Sequence, residues 1–266
     1  MRGQITPAVG IIMIVTFCAY LAQIAASISL GSHNVSVLFG LSVRHTVFGL
    51  WLWQPLTYML LHAIDSPIHL LGNMFMLWML GRTVEKHLGT RRFVKLYLLG
   101  GVFAALLTCL FYGVLGIWDQ FYISVPVIGA SGAICAVLAA FGTLFPEGNI
   151  LLFFVIPMKV KHAILLIAGV ELFITLSGTN SGIATSAHLG GMGFGYVFVR
   201  YGWAFHSILA RLYRRRVSKR DESEEKVRER VDEILAKVNT DGMHSLSRRE
   251  RSYLVRASKR FREPPR

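Results

Sequence analysis

Polar residues interrupt the apolar pattern of this chain at only a few positions, and several of those positions recur at one depth. Val9 to Leu30 is an apolar run in which Gln23 is the one strongly polar residue. Further apolar segments lie at about Pro67 to Leu80, Phe93 to Gly116, Gly129 to Phe145, Lys161 to Ser177 and Ser186 to Arg200. A hydrocarbon layer of ~30 Å takes ~20 helical residues. The shorter segments are tolerable where a helix starts inside a protein-lined cavity. The pattern predicts an all-α, polytopic membrane protein with six transmembrane helices. Arg2 and Ala25-Ala26-Ser27 mimic a signal peptide, but the run is longer than the usual apolar region of one and more spans follow.

Between the first two spans, residues 31–66 are rich in Trp and Leu and nearly uncharged, with Trp51, Leu52, Trp53, Leu56, Leu60 and Leu61 close together. The stretch is too apolar for a solvated loop and too broken for a span. It is expected to lie partly in the outer leaflet, where Trp suits the interface.

Charge sharpens this picture. The chain is 53% hydrophobic yet carries a formal charge of +13. Residues 1–202 hold ten Lys/Arg and five Asp/Glu, and residues 203–266 hold eighteen and ten. Arg82, Lys86, Arg91, Arg92 and Lys95 crowd the second-to-third connection, Lys159 and Lys161 mark the fourth-to-fifth, and the sixth span runs into the basic tail. By the positive-inside rule these are cytoplasmic, as are both termini. The connections with Asp65, Asp119 and residues 178–185 are then outside. A basic tail next to a span favours lipid headgroups over nucleic acid, for which no motif is present. Cys18, Cys109 and Cys135 all lie in apolar stretches without paired spacing and read as small core residues.

The candidate chemistry sits inside the spans. At 1.5 Å per helical residue, His69 is ~20 Å from the charged end of its span, Ser131 ~22 Å and His188 ~18 Å. Asn73 lies one turn from His69 on the same face. A serine hydroxyl needs a base to become a nucleophile, and His188 is the natural one. Gly132, Ala136 and Ala140 recur every four residues on one span, and Ala187, Gly191 and Gly195 on another. Such seams let helices approach closely in lipid. His69 and Asn73 can aim side-chain donors at a developing oxyanion, and His62 is a candidate for the same polar patch. A zinc-protease His-Glu-x-x-His and a nucleophile elbow are both absent, Ala133 occupying the last position of the latter. A metal held by His62, His69 and His188 is a weaker alternative. Glu171 is an isolated acid in the fifth span, with a structural hydrogen bond as the default reading and gating as the sharper one.

The ordered motifs His69-x-x-x-Asn73, Gly81-x-x-x-Glu85-x-x-x-Gly89, Gly129-Ala130-Ser131-Gly132 and Ala187-His188-x-x-Gly191-x-x-x-Gly195 closely resemble the rhomboid family of intramembrane serine proteases over residues 9–202. The resemblance implies a Ser131 nucleophile and a His188 general base, a dyad without the acid of the usual triad. It implies an oxyanion hole from His69, Asn73 and the Ser131 backbone N–H. It implies no cofactor, and single-span membrane proteins as substrates. Two departures stand out: Trp53-Gln54 where many relatives have Trp-Arg, and Cys135 where some place an aromatic against the base.

The domain organisation expected is a transmembrane catalytic domain (1–202), a basic juxtamembrane linker (203–220) containing Arg214-Arg215-Arg216 and Lys219-Arg220, and a cytoplasmic helical tail (221–262) of open partnership. In the tail, Val227, Val231, Ile234, Leu235 and Val238 form an apolar stripe, Asp241-Gly242 turns the chain, and Ser247 to Glu250 reads as a capping box. Leu254, Ala257 and Phe261 then face the first stripe, giving a helical hairpin. The resemblance places the protein in a bacterial cytoplasmic membrane. A catalytically silent client-binding protein is the competing function, and a transporter is disfavoured by the lack of an inverted repeat.

Overall fold

The computed structural model describes residues 5–117, 119, 121–152, 155–177 and 182–262, without the side chains of 152, 182–184, 203–224, 226–228 and 259–262. It divides into two compact units, Met1–Gly202 and Trp203–Arg266.

In the first unit, α1 (Pro7–Leu30) is followed by α2 (Ser32–Phe39), a π-type turn at Arg44–Phe48, and α3 (Gln54–Thr57), which tightens into a 3-10 turn at Tyr58–Leu60. Next comes α4 (Pro67–Met76), which passes through a π-type stretch at Leu77–Gly81 into α5 (Arg82–Leu88). Then come α6 (Thr90–Leu115), α7 (Phe121–Ser124) and α8 (Ser131–Leu144). After α8 the strands β1 (Asn149–Leu152) and β2 (Ile156–Lys159) form an antiparallel hairpin leading into α9 (Val160–Leu176). The opening of α10 (Gly182–Asp241) completes the unit.

The elements start within a few residues of the apolar runs and differ from expectation in four places. The helix of the sixth run does not give way to a linker after Arg200, since α10 continues through 203–220 to Asp241. The helix of the second span continues beyond Leu80 to Leu88, and Arg82 on it sets its guanidinium 4.3 Å from the Trp78 ring centroid. The purely helical expectation missed the β-hairpin, which Lys159 and Lys161 brace by pairing with Glu147. These ion pairs hold the exposed Glu147 carboxyl well below the usual range, at about 2. Cys18 is not a core residue but lies exposed on α1.

Apolar and polar side chains are distributed inside out relative to a water-soluble bundle. Ile11, Ile14, Phe17 and Leu21 on α1, Leu106 and Leu110 on α6, and Leu165 and Phe173 on α9 face outward. Thr16, Gln23, Gln54, His62, Asn73, Glu85 and Thr108 are buried. Such an exterior suits lipid, where every internal polar group must find its partner within the protein. Among the described residues, two helices, Pro7–Leu30 and Thr90–Leu115, are long and apolar enough to cross a membrane alone.

The centre of the unit is α8, packed through small residues. A β-carbon on Gly100 of α6 would lie 2.5 Å from Cβ of Ala136, and one on Gly132 would lie 2.8 Å from Cβ of Ala104. Against α10, a β-carbon on Gly191 would lie 1.9 Å from the Gly132 carbonyl oxygen, and one on Gly195 would lie 2.1 Å from that of Ala136. The α8–α10 seam read from the spacing is therefore present, with Gly191 opposite Gly132 and Gly195 opposite Ala136. The approach of α6 is an addition to it.

Glu85 anchors the base of α1. The N–H groups of Ala8 and Val9, two of the donors a helix N-terminus leaves unpaired, each donate to one carboxylate oxygen at 3.0 Å. Thr90 donates to the same group at 2.8 Å. Burial alone would raise the Glu85 pKa, but the hydrogen bonds it accepts outweigh burial and hold it below the ordinary carboxylate value. Gly89, the last residue of the Gly81-x-x-x-Glu85-x-x-x-Gly89 motif, joins α5 to α6 with φ +79, a conformation glycine adopts without strain.

In the second unit, α10 ends at Asp241, a 3-10 turn spans Met243–Ser245, and α11 (Arg248–Arg262) runs on from it. The capping box is formed: Glu250 accepts the Ser247 N–H at 2.7 Å and donates its own N–H to the Ser247 hydroxyl at 3.3 Å. Ile234 and Ala257 are buried as the stripes predict, joined by Leu246. Leu235 is instead exposed, because it sits one residue round the helix from Ile234. The side chains of Val227 and Phe261 lie outside the described residues.

Candidate active site

Ser131 is the first residue of α8, so its backbone N–H is one of the donors that the helix itself leaves free. Gly129, two residues earlier, has φ +128. Its amide donates to the Tyr58 carbonyl at 2.9 Å, and the Tyr58 hydroxyl donates to the Gly101 carbonyl at 2.7 Å. The chain just before this turn is pinned by an antiparallel bridge between Leu41 and Val127. The serine is thus presented by a tied loop at a helix N-terminus.

Close packing of α8 against α10 brings in His188. His188 Nε2 lies 2.8 Å from Ser131 Oγ. His188 Nδ1 lies 3.0 Å from Glu171 Oε1 on α9. If the hydroxyl is to lose its proton to Nε2, the neutral ring must carry its hydrogen on Nδ1, where the carboxylate accepts it. Sequence reasoning saw Glu171 but not this partner. The available signal was the cost of a carboxylate in a span, which demands a partner within reach.

His69 reaches the same place from α4. A β-carbon on Gly129 would lie 3.0 Å from His69 Nε2 and 3.7 Å from Ser131 Oγ, so the ring edge and the hydroxyl flank the same glycine. The Ala63 N–H donates to His69 Nδ1 in a long contact of 3.4 Å. That leaves the ring hydrogen on Nε2, on the serine side. Asn73 is buried, and among the described residues its Nδ2 has no acceptor. A buried amide donor without a partner costs on the order of 1 to 3 kcal/mol.

His62 joins the patch. Its ring lies 5.1 Å from that of His69 and is fully buried. Burial, with His69 adding, pushes its pKa down to about 4. Gln23 holds it there from α1, donating to the His62 carbonyl at 2.9 Å and accepting its N–H at 3.0 Å. The one strongly polar residue of the first span therefore holds the backbone on the path into α4.

The departure at Gln54 proves to be an anchor of another kind. Fully buried, it accepts from the Thr46 hydroxyl at 2.7 Å and the Ser42 N–H at 3.3 Å, and donates to the Val37 carbonyl at 2.8 Å. Around it Phe48, Leu50 and Leu52 point outward, in keeping with a stretch in the outer leaflet. Among the described residues no three of His, Cys, Asp and Glu gather to hold a metal ion.

A helical bundle with an apolar exterior defines the class as an α-helical membrane protein, and a serine and a histidine meet inside it. Residues 49–205 match the rhomboid domain, and the chain belongs to the rhomboid family. It is similar to the Danio rerio "Presenilin-associated rhomboid-like protein A, mitochondrial", 33% identical over 139 residues, which are 52% of this chain and 34% of that protein. It is similar to the Saccharomyces cerevisiae "Rhomboid protein 1, mitochondrial", 32% identical over 204 residues, 69% of this chain and 56% of that one. The Arabidopsis thaliana "RHOMBOID-like protein 12, mitochondrial" is 28% identical over 131 residues, 46% and 39%. The match thus spans about a third to just over half the length of these relatives. All three carry mitochondrial names, so a bacterial membrane finds no support among them. This is an integral membrane protein of the rhomboid family.

Proposed function

We propose that this protein is an intramembrane serine endopeptidase that cleaves the membrane segments of single-span proteins. The observation that carries the reading is the 2.8 Å contact between Ser131 Oγ and His188 Nε2. In the mechanism, Ser131 Oγ attacks the scissile carbonyl carbon while its proton passes to His188 Nε2. The carbonyl oxygen becomes an oxyanion facing Asn73 Nδ2–H, His69 Nε2–H and the Ser131 backbone N–H. The C–N bond then breaks, and His188 hands its proton to the departing amine. Water attacks the acyl-serine, gives a proton to His188 and restores the Ser131 hydroxyl as the new carboxyl product leaves.

The wider reading has six membrane-spanning segments within residues 1–202, with the basic connections and both termini on the side from which the chain inserts. The chemistry proposed needs no cofactor. The basic stretch 203–220 favours anionic lipid headgroups, and residues 221–262 form an appended helical tail.

The test is cleavage of a model single-span substrate in proteoliposomes by the wild type, Ser131→Ala and His188→Ala, alongside labelling by a serine-reactive fluorophosphonate. Cleavage and labelling by the wild type, both lost in Ser131→Ala with an unchanged melting temperature, are the expected result. A folded wild type that neither cleaves nor labels overturns the reading in favour of a client-binding protein.

A further inference from the structure

The protease reading uses a serine and a histidine, and the fold adds a third group behind the histidine. We infer that Glu171 is a positioning residue for His188: its carboxylate accepts the Nδ1–H, selects the tautomer that leaves Nε2 free for Ser131, and faces the imidazolium that forms when the serine proton arrives. The inference rests on the protease reading and deepens it.

Three observations converge. Glu171 Oε1 is 3.0 Å from His188 Nδ1 while Nε2 of the same ring is 2.8 Å from Ser131 Oγ, so the three groups form one continuous line. Both side chains are largely sheltered, Glu171 with 20% and His188 with 19% of its surface exposed. In such surroundings a carboxylate opposite a nascent imidazolium acts more strongly than in water. The register between α9 and α10 is also locked next to the pair: Thr175, one turn beyond Glu171, bonds to the Thr185 hydroxyl at 2.6 Å, and Thr185 precedes His188 by three residues.

The proton accounting is closed. Ser131 gives its proton to Nε2 as the Oγ–C bond forms, and the ring then holds a hydrogen on each nitrogen. The Nδ1 hydrogen stays on the ring throughout, shared with the carboxylate, and the Nε2 proton leaves with the amine. Glu171 never becomes the acceptor of the serine proton.

The experiment compares the wild type, Glu171→Gln, Glu171→Asp and Glu171→Ala in proteoliposomes, with kcat and KM measured separately on a single-span substrate and melting temperature recorded for each. Glu171→Gln is expected to lower kcat by on the order of 100-fold or more with KM within ~3-fold of wild type, because an amide can offer its N–H to Nδ1 and favour the wrong tautomer. Glu171→Asp, which keeps the charge, is expected to recover ~10-fold or more of that loss relative to Gln. Wild-type kcat in Glu171→Gln overturns the inference, as does a change confined to KM or to melting temperature. Should Glu171→Gln not fold, the same criterion is applied to Asp against Ala. A wild type that fails to cleave and to label with fluorophosphonate instead removes the protease reading itself, an outcome distinct from any Glu171 result.

Discussion

The backbone of Gly191 passes so close to Gly132 that a β-carbon there would lie 1.9 Å from the Gly132 carbonyl oxygen. That approach carries His188, one turn earlier on α10, to within 2.8 Å of Ser131, the residue before Gly132. Helix packing and reactive geometry are therefore one property. Gly191→Ala must push α10 away from α8, since the obstructing atoms are backbone. Activity on a single-span substrate is expected to fall more than ~10-fold, consistent with the cost of ångström-scale misplacement of a reacting group. The melting temperature should fall as well, as overpacking costs about 1 to 3 kcal/mol.

Asn73 is expected to separate activity from stability. Its Nδ2 is buried without an acceptor among the described residues, which suits a donor reserved for an oxyanion. Asn73→Ala should lower kcat by on the order of 100-fold, the worth of one such donor, without abolishing cleavage, since His69 and the Ser131 N–H remain. Thermal melting of the same variant should show little loss, because the deleted group has no native hydrogen bond. A variant with full activity and a much lower melting temperature would refute the assignment.

Glu85 predicts a pH effect on stability. Its folded-state pKa lies below the ordinary carboxylate value because the hydrogen bonds it accepts outweigh its burial. Its contribution is therefore fully present above the unfolded value and is lost as pH falls through the folded one. Melting curves in detergent at descending acid pH should show the wild type losing stability in that window. Glu85→Gln, less stable at neutral pH, should lose less there. The difference between the two curves isolates this group from Glu147 and Glu250, whose pKa values are also lowered.

Replacing Gln54 by Leu leaves the Ser42 N–H, the Thr46 hydroxyl and the Val37 carbonyl without the partners they now have in Gln54. A loss of about 2 to 4 kcal/mol is expected from stranding such groups in a buried position. Limited proteolysis should then cut the stretch between α1 and α4 faster than in the wild type, with the other connections unchanged.

Several features were legible because they depend on short spacing. The apolar runs follow from the thickness of the lipid, and His69 and Asn73 share a face because they are four residues apart on a helix. The seams of Gly132 and Gly191 were readable for the same reason, and so was the capping box at Ser247. Leu235 was misread because a stripe at helical spacing does not say which of two adjacent residues turns inward. The β-hairpin was missed because its pairing, Asn149 with Lys159, joins residues ten apart in a short connection with no alternating pattern.

The sequence by itself determined the apolar runs, the small-residue faces and the set of polar side chains within them, all set by local periodicity and the chemistry of single side chains. Only the tertiary structure decided who partners whom: Glu171 with His188 across α9 and α10, Glu85 with the amides of Ala8 and Val9, Gln23 with both backbone groups of His62. Each of those contacts joins elements distant in sequence. Its length is fixed by the rotation and depth of one helix against another, a quantity that arises from the packing of the whole bundle and that no stretch of sequence encodes locally.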